Sequence, residues 1–376
     1  MTRTLKIAPV QMDVKPEPVA HRLERAADLI AEAVSAGAQV VVLPEVFNTG
    51  YEYSDANYAL AEPMNGPTVT WMKDQAARHN IHLAGSLMVL DDEDIYNAAL
   101  LVAPDGRLWR YDKHYPWLWE RAYFREGERI TVADTDFGRV GMMICHDYNH
   151  AELWERYAGK IDLLLVISSP PRMYDFDMIF PDGLRLNVGS ALGGLPLMVT
   201  PGKHPWGEDL DRHAAWMRVP VVTTVGGGMF RSRMPKARLS LAVLLGLRPD
   251  LWERISQADE VMLEAGFDRE TKVVDAAGQV LARVDELGDG FALAEVTLPD
   301  ERPVPGYPQP KFDLRAPAML LYDVIGPALV MDKYRQGVRR QWGAHMAPLD
   351  PRTRLWLVLA LAAALVGWFL GQWRRF

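Results

Sequence analysis

The chain has 376 residues, of which 49% are hydrophobic and 24% are charged, and its formal net charge at pH 7 is −8. This composition is that of a folded globular protein, and the negative charge argues against nucleic acid as the main partner. The single cysteine, Cys145, excludes an internal disulfide framework and any multi-cysteine metal site.

The N-terminal region predicts a strand, a helix and a second strand. Residues 6–14 form the first predicted strand, residues 19–36 place apolar side chains at helical spacing, and residues 39–43 are a continuous apolar run. This order is typical of a βαβ unit in an α/β protein. Glu45 follows the second strand at the carboxyl end, where such folds place their chemistry. The alternative is a solvated loop carboxylate.

Two further candidate residues follow a predicted hairpin. Residues 96–102 and 108–111 predict paired strands around a Pro-Asp-Gly turn. Lys113 comes directly after this hairpin among aromatic residues, so it is either a solvated surface amine or an amine held in a lined pocket. Glu120 lies within the aromatic segment 117–127.

A short apolar run over residues 139–144 ends in Cys145, which predicts a buried strand followed by a loop that carries the thiol. A thiolate is a strong nucleophile, although a lone cysteine can also be a small buried hydrophobe. A carboxylate such as Glu45 can take the thiol proton, and the ammonium of Lys113 can stabilise an oxyanion. Glu120 can position that lysine. The four residues together therefore favour nucleophilic attack on an amide carbon.

The C-terminal part of the chain departs from this α/β pattern. Residues 231–265 predict an added helical segment, and residues 299–352 a Pro-rich connector. Residues 353–373 predict a single-pass membrane helix, because about 19 consecutive residues are uncharged and tryptophans lie near both ends. The alternatives are a buried helix or an oligomer contact. The N-terminus does not predict a signal peptide, so we expect a cytoplasmic catalytic domain anchored to membrane lipid by its tail.

Four segments, in this order, resemble the motifs of the nitrilase superfamily of carbon–nitrogen hydrolases. They are Leu43 to Glu45, Lys113 with His114, Leu118 to Phe124, and Gly141 to Asp147. The resemblance extends from about residue 4 to residue 298 and implies a catalytic domain over residues 1–298. It implies an α-β-β-α sandwich that pairs with a second subunit, and hence a homo-oligomer.

The resemblance also implies a role for each candidate residue and no metal or organic cofactor. The implied roles are general base for Glu45, oxyanion stabiliser for Lys113, additional catalytic glutamate for Glu120 and nucleophile for Cys145. The expected reaction is cleavage of an amide or N-carbamoyl C–N bond through a thioester. The alternatives are nitrile hydrolysis, acyl transfer to an amine or lipid, and an idle membrane scaffold.

The residues after the cysteine differ from the family's pattern. Asn149 and Ala151 stand where the amidase and carbamoylase branches often have arginine and proline. The Cys-x-Asp order still favours a small-molecule amide or N-carbamoyl substrate over a nitrile. We expect the substrate-binding side chains to be those of Tyr51, Trp117, His146 and Asn149, with a structural role as the alternative for His146.

Overall fold

The computed structural model describes residues 3–172, 175–191, 207–246 and 248–342. In the first half, the strands are β1 (Arg3–Gln11), β2 (Val40–Val42), β3 (His82–Asp91), β4 (Asp94–Val102), β5 (Leu108–Asp112), β6 (Val132–Asp134), β7 (Arg139–Ile144) and β8 (Leu163–Ile167). The helices there are α1 (Val19–Ser35), α2 (Ala56–Leu60), α3 (Pro67–His79) and α4 (Ala151–Tyr157), with 3₁₀ turns at Leu118–Ala122 and Cys145–Asn149.

The second half contains shorter strands and the C-terminal helices. The strands are β9 (Asp177–Ile179), β10 (Arg185–Asn187), β11 (Val221–Thr223), β12 (Phe230–Ser232), β13 (Met262–Ala265), β14 (Lys272–Val274), β15 (Val280–Arg283), β16 (Gly290–Phe291) and β17 (Ala294–Leu298). The helices are α5 (Val188–Ala191), α6 (Glu208–Met217), α7 (Ala237–Leu244), α8 (Ala316–Leu320) and α9 (Gly326–Trp342), with a 3₁₀ segment at Pro249–Glu260 and a π turn at Leu321–Ile325.

Two mixed sheets form the centre of the molecule. The first has the order β16-β1-β2-β3-β4-β5, with β17 also pairing with β1, and the second has the order β15-β14-β11-β8-β7-β6. Parallel pairing joins β1 to β2 to β3 in the first sheet and β7 to β8 to β11 in the second. A third, smaller sheet has the order β10-β9-β13-β12.

Alternation along the strands separates the two faces of the first sheet. Ile7, Val40 and Val42 belong to the core shared with the second sheet, whereas Ala8 and Val41 belong to a core shared with α1 and α3. Successive side chains of a strand point to opposite faces, so this sheet is covered on both sides. Helices α4 and α6 pack against the second sheet. The layers therefore follow the predicted α-β-β-α order.

The segment 231–265 is helical only in its middle. Helix α7 and the 3₁₀ segment fill that part, but the ends of the segment belong to strands β12 and β13 of the small sheet. The prediction of a purely helical segment is wrong there, because strands this short give too little alternation to be recognised.

The prediction of a connector over residues 299–352 is wrong for residues 316–342. These residues form α8, the π turn and α9, and the buried side chains of Tyr322, Val330, Tyr334 and Val338 recur at helical spacing. The prolines between 303 and 310 obscured this pattern. None of the helices within the described ranges is long and apolar enough to cross a membrane. The predicted membrane helix 353–373 lies outside the described residues.

Candidate active site

The structure brings the four predicted catalytic residues together in the interior. Glu45 follows β2, Lys113 follows β5, Glu120 lies in the 3₁₀ turn 118–122, and Cys145 follows β7. The carboxyl ends of the parallel strands β2 and β7 both lie in this region, so the residues that follow these two strands meet there. All four side chains are buried.

Lys113 connects the two carboxylates. Its Nζ donates to Glu45 Oε1 at 2.8 Å and to Glu120 Oε2 at 2.6 Å. Burial acts to lower the pKa of Lys113, but the carboxylates of Glu120 and Glu45 raise it well above its ordinary value. The lysine is therefore held as a cation, with its ammonium group fixed between two acceptors.

Glu45 is fixed by two further donors. Asn97 Nδ2 donates to Glu45 Oε1 at 2.8 Å, and the backbone N–H of Ser169 donates to Oε2 at 3.0 Å. Ser86 Oγ in turn donates to Asn97 Oδ1 at 2.9 Å, which fixes the orientation of the amide. Burial raises the pKa of Glu45, and Lys113 opposes that rise. A carboxylate with a raised pKa is suited to accept a proton during a reaction.

Glu120 has its own set of donors. The backbone N–H of Trp117 donates to Oε2 at 2.6 Å, and the Tyr51 hydroxyl donates to Oε1. Together with Lys113, these donors occupy both oxygens of the carboxylate. Glu120 is therefore held rigidly and orients the lysine from the side opposite Glu45.

Cys145 is the first residue after β7 and has a left-handed backbone, with φ at +48°. A non-glycine residue in this region is strained and has to be held by its surroundings. Asp147 does this, because its buried carboxylate accepts from the backbone N–H of Ile144 at 3.0 Å, the Tyr111 hydroxyl at 2.7 Å and the backbone N–H of Tyr115 at 2.8 Å.

The Cys145 thiol lies in the same buried cluster as Glu45 and Lys113, whose charges act on it. Burial raises the pKa of the thiol well above its ordinary value, Glu45 raises it further, and Lys113 opposes the rise. The resting residue is therefore a protonated thiol. Loss of this proton requires an acceptor near the sulfur, and Glu45 is the carboxylate whose charge acts on the thiol most strongly.

The four predicted substrate-binding residues lie around the cluster, and each makes a polar contact within the protein. The Tyr51 hydroxyl and the backbone N–H of Trp117 donate to Glu120, as described above. Asn149 Nδ2 lies 3.1 Å from His146 Nδ1, and His146 Nε2 lies 3.1 Å from Asp323 Oδ1. Tyr51 and Trp117 therefore help to hold Glu120 in position. Their contacts with a substrate remain predictions.

Several residues of the site are absent from the sequence-based prediction. Asn97 is a buried amide inside an apolar strand, and this exception in residues 96–102 is the signal that could have found it. Ser169 acts through its backbone, so its side chain gives no signal. Asp323 lies in the segment interpreted as a connector.

Comparison with known proteins finds relatives among the carbon–nitrogen hydrolases. The carbon–nitrogen hydrolase family matches residues 6–180. A nitrilase of Pyrococcus abyssi is 33% identical over 148 residues, which are 38% of this chain and 56% of that protein. The omega-amidase of Bos taurus is 31% identical over 202 residues, which are 50% of this chain and 67% of that protein.

Solved structures share the fold at low sequence identity. A Saccharomyces cerevisiae member of branch 10 of the nitrilase superfamily is 22% identical, with a TM-score of 0.55 over 78% of this chain and 90% of that chain. An amidase from Nesterenkonia sp. is 20% identical, with a TM-score of 0.55 over 79% of this chain and 91% of that chain.

The chain belongs to the carbon–nitrogen hydrolase family of the nitrilase superfamily. It spans 56% to 67% of the length of the two curated relatives described above. The family match over residues 6–180 includes all four residues of the buried cluster and ends before the C-terminal helices.

Proposed function

We propose that this protein hydrolyses the C–N bond of a small amide or N-carbamoyl compound through a thioester on Cys145. The observation that carries this proposal is the buried cluster in which Lys113 donates to both Glu45 and Glu120 beside the buried thiol of Cys145. This cluster places a nucleophile, a proton acceptor and a fixed cation around one point. Family membership supports a C–N hydrolase, and relatives named as omega-amidases support an amide substrate.

In the acylation step, Cys145 Sγ attacks the carbonyl carbon as its proton passes to Glu45. The carbonyl oxygen becomes an oxyanion, which accepts from Lys113 Nζ and from the backbone N–H of His146. The C–N bond then breaks, and the proton held by Glu45 moves to the departing nitrogen. Ammonia or an amine leaves, and the acyl group remains as a thioester on Cys145.

In the deacylation step, a water molecule attacks the thioester carbon and gives a proton to Glu45. Lys113 again faces the oxyanion. The C–S bond breaks, and the proton returns from Glu45 to the sulfur, so that the acid is released and the thiol is restored. Glu45 thus alternates between accepting and donating one proton, as a carboxylate with a raised pKa can do.

The proposal is tested with a panel of four compounds: propionamide, succinamic acid as an omega-amide, an N-carbamoyl amino acid and propionitrile. The purified chain should release ammonia from an amide or carbamoyl compound. Added hydroxylamine should intercept the thioester and give the hydroxamate. Cys145→Ala should lose both reactions, with an unchanged circular dichroism spectrum. Release from the nitrile alone, or full turnover by the variant, would contradict the proposal.

We also propose that residues 353–373 attach the chain to a membrane. Their composition supports this, because about 19 uncharged residues match the bilayer core. The full chain should stay in the membrane fraction through alkaline carbonate extraction. The double variant Leu361→Arg with Leu365→Arg should be released, because each central arginine costs about 2.5–3.5 kcal/mol on insertion. The matched control is Leu361→Ile with Leu365→Ile, and extraction of the unaltered chain would contradict the proposal.

Self-association is a further proposal, supported by the resemblance to a family whose subunits pair. Light scattering of the purified chain in detergent should give a protein mass of two chains or more. A mass of one chain across the accessible concentration range would contradict it.

A further inference from the structure

Two histidines and an aspartate converge beside the turn that carries Cys145. His146 lies within this turn, His150 follows it, and Asp323 comes from the π turn between α8 and α9. His146 Nε2 lies 3.1 Å from Asp323 Oδ1, and His150 Nε2 lies 3.1 Å from Asp323 Oδ2. The ligand atoms all lie within 4.8 Å of one another, and the side chains are 3%, 8% and 17% exposed.

The contacts of His150 favour a cation between its ring and Asp323. Its Nδ1 lies 3.1 Å from the backbone oxygen of His146, and a carbonyl oxygen only accepts, so Nδ1 carries the proton. A neutral His150 then presents the lone pair of Nε2 to the carboxylate of Asp323. Two acceptors at 3.1 Å repel each other unless a cation lies between them or a second proton sits on the ring.

His146 is arranged in a comparable way. Its Nδ1 faces the amide of Asn149, whose Oδ1 is buried and has no hydrogen-bond partner. Rotation of this amide by half a turn would place Oδ1 against Nδ1–H of His146. The Nε2 lone pair would then face Asp323, as it does in His150. Metal-binding histidines are commonly fixed in this way, because the ring nitrogen remote from the metal donates to a hydrogen-bond acceptor.

Packing holds the histidine rings in these orientations. The ring of Tyr115 stacks on His150 with centroids 3.4 Å apart and planes inclined by 6°, and the His146 ring meets His150 edge-on at 4.9 Å. The nearby cation Arg121 donates from Nε to the backbone oxygen of Pro116, and its guanidinium pairs with Glu126.

We propose that His146, His150 and Asp323 bind one divalent transition-metal cation of the zinc type. Tetrahedral zinc with bonds of about 2.0–2.2 Å separates its ligand atoms by about 3.3–3.6 Å. Here each histidine Nε2 lies 3.1 Å from a different oxygen of Asp323, and one ligand atom from each of the three residues lies within 4.8 Å of the other two. Two imidazoles and one carboxylate are a ligand set that suits such an ion and leaves one position open.

The bound ion has a structural consequence that is independent of the proposed hydrolysis. It joins the C-terminal segment 316–342 to the turn that carries the nucleophile. The same segment packs Tyr322 against Trp117 at 4.9 Å between ring centroids, beside the backbone that donates to Glu120. The ion therefore attaches the middle of the C-terminal segment 316–342 to the site.

The test uses the purified full chain, stripped with a chelator and then titrated with Zn²⁺ in competition with a chromophoric chelator. Co²⁺ loading gives a second readout, since a low-symmetry site with nitrogen and oxygen ligands produces visible absorption bands. The variants are His150→Gln and Asp323→Asn, and the matched control is His21→Gln, an exposed histidine of α1. Circular dichroism checks that each variant is folded.

We expect about one Zn²⁺ per chain, a visible Co²⁺ spectrum, and binding at least about tenfold to 100-fold weaker in both site variants than in the control. Binding that stays the same in a folded site variant would overturn the proposal. So would the absence of any binding to the unaltered chain, which would leave His150 protonated and paired with Asp323. If a variant fails to fold, the stoichiometry and the Co²⁺ spectrum of the unaltered chain decide the question.

Discussion

Lys113 Nζ lies 2.8 Å from Glu45 Oε1, and neither side chain is exposed to solvent. A buried ion pair adds little net stability, because its desolvation offsets the attraction between the charges. Removal of one partner is costly, since the other charge is left buried and unpaired. The persistence of this pair in the interior therefore fits a chemical role better than a stabilising one.

Replacement of the lysine should expose this cost. Lys113→Met leaves Glu45 and Glu120 without their shared cation, so the free energy of unfolding should fall by about 3–5 kcal/mol, and turnover should be lost. Urea unfolding measures the first effect. The control is Lys73→Met on the exposed face of α3, which should change stability by less than about 0.5 kcal/mol. Equal stability of the two variants would contradict the assignment of Lys113 as the cation on which both carboxylates depend.

Replacement of Glu45 by its amide should separate catalysis from folding. Glu45→Gln keeps the shape and can still accept from Asn97, but it cannot take a proton. Turnover of the amide that the unaltered chain hydrolyses should fall by about 10²–10⁴-fold, with a small change in stability. Ammonia release is measured beside Glu24→Gln, an exposed residue of α1. Turnover within a factor of ten of that control would remove Glu45 from the mechanism.

A Tyr51 variant tests whether the hydroxyl of this residue holds Glu120 in position. In Tyr51→Phe, one oxygen of a buried carboxylate loses its donor, so stability should fall by about 1–3 kcal/mol and kcat should fall while KM changes little. A direct substrate contact instead predicts a higher KM with stability unchanged. The matched control is Tyr307→Phe, because Tyr307 is 99% exposed.

The buried His213 predicts a pH dependence of stability. Its Nδ1–H donates to the backbone oxygen of Asp209 at 2.7 Å, its ring stacks on Phe312, and burial lowers its pKa from 6.5 to about 4. Between these values the unfolded chain binds more protons than the folded chain, so this residue's contribution falls as the pH falls from 6.5 to 4. The loss amounts to about 3 kcal/mol at most.

The measurement is the free energy of unfolding against pH in the unaltered chain and in His213→Gln. The free energy of unfolding of the unaltered chain, less that of His213→Gln, should increase as the pH rises from 4 to 6.5 and should then stay constant. Burial raises the pKa of Asp209, and this effect acts in the opposite direction, but it is present in both proteins and cancels in the comparison. A difference that is constant across this range would show that His213 has no such role.

The residues of the site that directly follow a strand could be predicted from the sequence. Glu45 and Cys145 each follow a buried apolar run, and that pattern alone indicates the carboxyl edge of a parallel sheet. The α-β-β-α order came from resemblance rather than from pattern, because periodicity finds strands but does not say which sheet they join. The prediction of the sandwich is confirmed by the core that Ile7 and Val40 share with the second sheet.

The parts that sequence missed depend on contacts between distant segments. Asn97 acquires its role only when β3 joins β4 and β2 in one sheet and the residue meets Glu45. Asp323 acquires its role only when the π turn packs on His146 and His150. A hydrogen bond between residues 177 positions apart, such as that between His146 and Asp323, leaves no local signal. The spacing of Tyr322 and Tyr334 would have revealed the C-terminal helices if the prolines before them had been weighed less.

The central claim is that Cys145 carries the acyl group during turnover. Intact-protein mass spectrometry of acid-quenched samples, taken within the first turnovers on an amide substrate, tests it most directly. We predict an added mass equal to the acyl group less one hydrogen, located by peptide mapping to Cys145, removed by hydroxylamine and absent from Cys145→Ala. Steady ammonia release from a Cys145→Ala sample with no adduct in the unaltered chain would contradict the account.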